Sequence, residues 1–159
     1  DGTQRQNAIF DNPYFAVNKN LTTEKVNRLI GFVQTDITPL SWLNIMGRVG
    51  SDFNNFDDRQ NYSKFSAENH AEQSFVGSLR NVQSSTRDIN TDLIVSADKK
   101  LNSDFSIGLR VGHNYWHSQF TRLDATGYGY VFDNFNSLSN TQAVETFETQ
   151  RNRKLMGVY

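Results

Sequence analysis

The residues able to do chemistry are few and scattered. Asp52, Asn54, Asp57 and Asp58 bring oxygen donors close together, as a hard cation such as calcium requires. The EF-hand spacing fails, because Asp57 stands where the loop needs glycine and Ser63 where it needs glutamate. A solvated polar segment accounts for them better. His113 and His117 are four apart, a zinc spacing on a helix. Gly112, Tyr115 and Trp116 place them on a strand instead, well separated, and His70 stands elsewhere. The chain has no cysteine, which removes thiolate metal sites, thiol nucleophiles and disulfides. No HExxH, nucleophile elbow or phosphate loop occurs. A β-rich hydrolase would need two carboxylates meeting in one pocket at roughly 5–10 Å, and no spacing supports such a pair. The expectation is a chain that is no enzyme, with no catalytic residue, metal or cofactor.

Composition narrows the class further. Apolar residues make up 36% of the 159 positions, below the share of a packed globular domain. Aromatics nevertheless reach 13%, too many for disorder. A transmembrane barrel satisfies both conditions, since its lumen and loops are polar while its lipid face has aromatic girdles. The net charge of −1 gives no basic field for nucleic acid. The opening Asp1-Gly2-Thr3-Gln4-Arg5 is polar and unlike a secretory leader. No run approaches the roughly 18–20 apolar residues of a membrane helix, so any crossing must use strands.

Four stretches alternate with period two, as a strand with two unlike faces does. In 27–38, Leu29, Gly31, Val33, Thr35 and Ile37 oppose Gln34, Asp36 and Thr38; Arg28, Ile30 and Phe32 make the start of that second face mixed. In 42–54, Leu43, Ile45, Gly47, Val49 and Phe53 oppose Asn44, Met46, Arg48, Gly50 and Asp52. Pro39-Leu40-Ser41 is the turn between them. A second hairpin follows over 88–98 and 105–117. There Leu93, Val95, Ile107, Leu109 and Val111 oppose Asp92, Ser96, Asp98, Arg110 and Asn114. A fifth strand is expected over 153–159.

Turns within the hairpins are short, while the segments 1–26, 55–87 and 118–152 are long. Short loops at one rim and long loops at the other match an outer-membrane barrel, and a compact domain rarely carries such long connections. Strands of this length suit the roughly 9–11 tilted residues that cross a bilayer core. Trp42 and Phe105 would sit in one aromatic girdle, Phe53 and Tyr115 in the other. The fold expected is all-β: an antiparallel up-and-down segment of a transmembrane β-barrel, incomplete, with four to five strands and long extracellular loops. A soluble antiparallel β-sandwich that binds carbohydrate or protein would alternate in the same way, so periodicity leaves it open.

Two groups of residues could then carry function. Asp36, Arg48, Asp52, Asp92, Asp98 and Arg110 fall on the polar faces, where they would line a lumen or contact a plug, or simply keep that face wet. Tyr14, Phe15, Tyr62, Tyr128 and Tyr130 lie in the long segments among amides and hydroxyls. Such aromatics suit sugar faces or docking to a lid, and they equally suit packing of the loops on themselves.

Asn12-Pro13-Tyr14-Phe15, Asn27-Arg28-Leu29-Ile30-Gly31 and Ser41-Trp42-Leu43-Asn44-Ile45-Met46-Gly47-Arg48-Val49-Gly50-Ser51-Asp52-Phe53 occur in that order. The series resembles the SusC/RagA family of TonB-dependent outer-membrane transporters, which show an NPY-aromatic loop, an NR-x-x-G strand opening and a W-L-x-x-x-G-R-x-G-x-D strand. The resemblance is sharpest over residues 12–53 and continues by strand rhythm to Tyr159. It implies a 22-stranded barrel in the bacterial outer membrane, closed by an N-terminal plug, energised through TonB, and covered by a SusD-like surface lipoprotein that admits glycans or peptides. On that reading this chain is an internal piece of barrel wall. Its partners would be the rest of the barrel and plug, the lipoprotein, TonB through a missing N-terminal region, and outer-membrane lipid. Nucleic acid is not among them.

Overall fold

Alternating apolar and polar side chains, rich in Val, Ile, Thr and aromatics, favour extended backbone with distinct faces. The computed structural model describes residues 11–67 and 76–159. Within them the chain forms β1 (Thr22–Leu40), β2 (Leu43–Tyr62), β3 (Ser78–Lys100), β4 (Ser106–Tyr130) and β5 (Thr141–Val158). The strands run antiparallel and up-and-down in one open sheet, each paired to the next in sequence. The described residues thus form one sheet, whereas a soluble sandwich needs a second packed against it. His70 lies outside the described residues, as do parts of the segments 1–26 and 55–87.

Local chemistry explains the connections. Ser41 and Trp42 link β1 to β2, and Pro39 lies in an edge strand, where a missing N–H costs no ladder bond on the open side. Between β3 and β4, Asn102 Oδ1 accepts from the backbone N–H groups of Asp104 at 3.0 Å and Phe105 at 2.8 Å, an Asx-type turn. Before β1 stands α1 (Pro13–Lys19), capped by Asn12, whose side chain accepts from the Tyr14 amide at 2.9 Å. Pro13 opens the helix, where its lost donor would be unpaired anyway. Among the described residues no helix is long and apolar enough to cross a membrane.

The chain packs as two compact units. Among the described residues, the first comprises 11–26, 55–67, 76–84 and 121–149. It holds the buried apolar residues Leu79, Val82, Ala125 and Tyr130. At its β3–β4 end, Gly129 N–H donates to the Gly77 carbonyl at 2.9 Å and Tyr130 N–H to that of Val76 at 3.0 Å. Gly77 has φ 77° and a Cβ there would strike the Tyr130 ring, so only glycine fits. The second unit comprises 27–54, 85–120 and 150–159. It leaves many of its large apolar side chains open, with Val33 73% and Phe32 70% exposed.

Strand extents differ from the sequence expectation. β2 continues to Tyr62, β3 begins at Ser78, β4 runs to Tyr130 and β5 begins at Thr141. Much of what reads as long loop is therefore paired strand. These extensions have polar residues on both sides, so they lack the contrast between faces that marks a strand in sequence.

Candidate functional site

Strand parity in the second unit sends side chains to two unlike faces. Leu29, Val33, Ile37, Val49, Leu93, Ile107, Leu109 and Val111 share one face and all stand exposed. Basic groups lie over aromatic rings at its margins. Lys99 Nζ is 6.0 Å from the Trp42 ring centre and the Arg87 guanidinium 5.3 Å from that of Phe53, within cation–π range. The opposite face holds ion pairs. Arg28 meets Asp52 through two bonds, at 3.0 and 2.6 Å. Arg48 donates twice to Asp92 Oδ2, at 3.0 and 2.7 Å, and Asn114 donates to the other oxygen at 2.6 Å. The Asp92 side chain is only 9% exposed. A guanidinium and an amide together hold that carboxylate in place, a stronger arrangement than a lone surface pair.

The six charged residues expected on the polar face all stand on strands of this unit. Arg48, Asp52 and Asp92 are joined to partners as described. Arg110 donates to Ser96 Oγ at 3.2 Å, and Asp36 accepts from Gln34 at 2.8 Å. The Asp98 carboxylate lies across Gly108, where any Cβ would collide with it. The arrangement couples each of β1, β2 and β3 to its next neighbour by side chains as well as backbone. It brings no three metal-ligating groups together among the described residues. His117 meets Asn152 at 2.9 Å.

The first unit places the five aromatic candidates differently from one another. Tyr14 and Phe15 are on α1, with Tyr14 80% exposed. Phe15 lines a cavity of about 210 Å³ with Lys19, Lys64, Phe65 and Tyr130. Tyr62 ends β2, and Tyr128 stands on β4. Tyr130 is 5% exposed; its hydroxyl donates toward Asn61 Oδ1 at 2.5 Å and the Ser78 carbonyl at 3.1 Å. Burial pushes its pKa up to about 12, with Arg59 opposing.

Sequence reasoning passed over two networks here. Arg80 grips Asp124 at 3.0 and 2.5 Å, and Arg122 joins at 3.2 Å. The hydrogen bond from Arg80 holds the Asp124 carboxyl below its ordinary range against the opposing effect of burial, and raises Arg80 in turn. Asp11 accepts from Ser66 Oγ at 2.5 Å, Asn20 at 2.9 Å and the Ala67 amide at 2.6 Å. Both networks fall in stretches that read as loop, so no strand parity pointed to them.

With this geometry in view, two solved structures match the chain closely in shape. One is described as the structure of the RagAB peptide transporter, with TM-score 0.74 over 92% of this chain. The other is the RagAB peptide importer in its open-open state, with TM-score 0.70 over 93%. The fold is that of a segment of RagAB. At 16% identity in both cases the likeness is one of fold, and the chain spans 16% of the length of each RagAB chain. No family model matches the sequence, and no curated protein does.

Proposed function

We propose that this chain is part of the wall of a TonB-dependent nutrient transporter of the SusC/RagA type in the bacterial outer membrane. The observation that carries the proposal is the second unit's division into an exposed apolar face and an opposite face of Arg–Asp pairs. In water, so many open aliphatic side chains would be costly at about 25 cal/mol per Å². Against acyl chains they belong, and the paired charges then face a wet lumen or plug. Each strand's share of this unit reaches the roughly 9–11 residues that cross a bilayer. Lys99 over Trp42 and Arg87 over Phe53 suit an interface, where amphipathic side chains keep an apolar body in lipid and a polar head in water.

The first unit, rich in Asn, Asp, Gln and Ser, would belong to the water-facing part of the protein. There Tyr14, Phe15, Tyr62 and Tyr128 would meet a SusD-like lipoprotein or an incoming glycan or peptide. The unpaired outer sides of β1 and β5 would join the rest of the barrel, because a sheet edge left open in lipid strands its backbone groups. The chain itself would perform no catalysis. Inactivating its gene should abolish uptake of labelled peptide or oligosaccharide, and the protein should fractionate with outer membranes. Recovery as a soluble monomer from lysate without membranes would overturn the proposal.

A further inference from the structure

Ile30 and Phe32 are apolar yet stand on the charged face, an anomaly that barrel architecture leaves unexplained. They form one wall of a shallow dish of about 290 Å³ whose other walls include Trp116, Asn90 and Asp88. Gly50 lies in its lining, with the Phe32 Cβ 3.6 Å from where a Gly50 Cβ would be. The volume falls just below the roughly 300 Å³ at which small-molecule pockets begin, which fits a single side chain. Charge at the dish is unbalanced. Asp52 is matched by Arg28 and Arg48 by Asp92. Asp88 lines the dish and has no ion pair among the described residues. An unmatched carboxylate attracts a cation, and an aromatic wall beside it does the same.

We infer that this dish seats a cationic side chain, the guanidinium or ammonium of an arginine or lysine, with its charge toward Asp88 and its stem along Ile30, Phe32 and Trp116. The ligand chemistry is the same whether a passing peptide or another protein segment supplies it. The inference rests on the barrel-wall proposal only for the direction from which the side chain arrives.

The test uses the full chain in lipid, with Trp42→Phe leaving Trp116 as the sole tryptophan. Titration with N-acetyl-arginine amide should change Trp116 emission saturably, and the citrulline analogue should not. Asp88→Asn should weaken binding about tenfold or more, Asp88→Glu should restore part of it, and Phe32→Ala should weaken it with strand content retained by circular dichroism. Asp104→Asn, in the turn between β3 and β4, should leave binding unchanged. No response from the unmutated site, equal binding of citrulline, or an unaffected Asp88→Asn variant would overturn the inference. A photoreactive benzoyl-phenylalanine at position 32 in living cells separates the sources, since a small peptide adduct marks cargo and a protein adduct marks a neighbouring segment. If arginine binds while the apolar face proves to be wet, the dish survives and the barrel-wall proposal fails; the reverse outcome sinks the dish alone.

Discussion

Tyr130 shows how one residue ties the first unit together. Its ring covers Gly77, and its hydroxyl reaches Asn61 and the Ser78 carbonyl. Tyr130→Phe leaves the ring and removes both bonds, and should cost about 1–3 kcal/mol in urea unfolding followed by hydrogen exchange of this unit. Ionisation adds a pH signature. With the folded-state pKa raised to about 12, the stabilisation is complete below the ordinary tyrosine value and disappears as pH rises through about 12. Asp124 behaves in the opposite sense. Its pKa is lowered by Arg80, so its contribution is complete above the ordinary aspartate range and is lost as pH falls through the depressed value. Asp124→Asn should flatten that acid limb, by about 1 kcal/mol at most because Arg80 is 40% exposed. A difference urea titration between the two proteins from neutral to acid pH measures it. The composition of this unit announced neither residue as structural. Tyr130 reads as a loop aromatic, open between ligand or lid contact and packing of the loop on itself, because Thr121–Tyr130 is interrupted by Gly127 and Gly129 and lacks an apolar period.

At the scale of the strand, legibility followed the contrast between faces. Val49, Leu93 and Ile107 alternate with Arg48, Asp92 and Ser106, and the two hairpins were readable from that alternation alone. The Asn54–Tyr62 stretch, dense in Asn and Asp, has low strand propensity, yet it is strand through Tyr62 because β1 and β3 pair with β2. Pairing overrode propensity, and no single sequence displays its partners. The same limit applies to the charges. Parity placed Arg48 and Asp92 on one face, but which aspartate meets which arginine depends on register. Asp88 stands at the expected start of its strand, where no contrast between faces marks it. The face assignment carries its own prediction. Val49→Lys should cost about 2–4 kcal/mol in folding from urea into lipid vesicles, as a lysine on the lipid face near mid-bilayer does. Gly50→Lys, one residue along and on the other face, should cost less. Equal penalties would show that β2 does not separate lipid from water.

For the molecule as a whole, the open sheet and its up-and-down order match a segment of RagAB, and the SusC/RagA-like motifs over residues 12–53 pointed toward that fold. Substrate and partners belong to the larger assembly that such a segment would help to build. A role in the barrel wall depends on which side of the sheet meets acyl chains. The chain has no cysteine, so single cysteines carrying a nitroxide can be placed along residues 43–54 and 105–117 in the bilayer-embedded protein, leaving Gly108 and Gly112, where a Cβ would clash, unchanged. Oxygen and aqueous nickel accessibility should then alternate at every residue. Positions 49, 107, 109 and 111 should be open to oxygen and closed to nickel, and positions 48, 50, 106 and 110 the reverse. Nickel reaching both sets alike, or a period lost along both strands, would contradict the account.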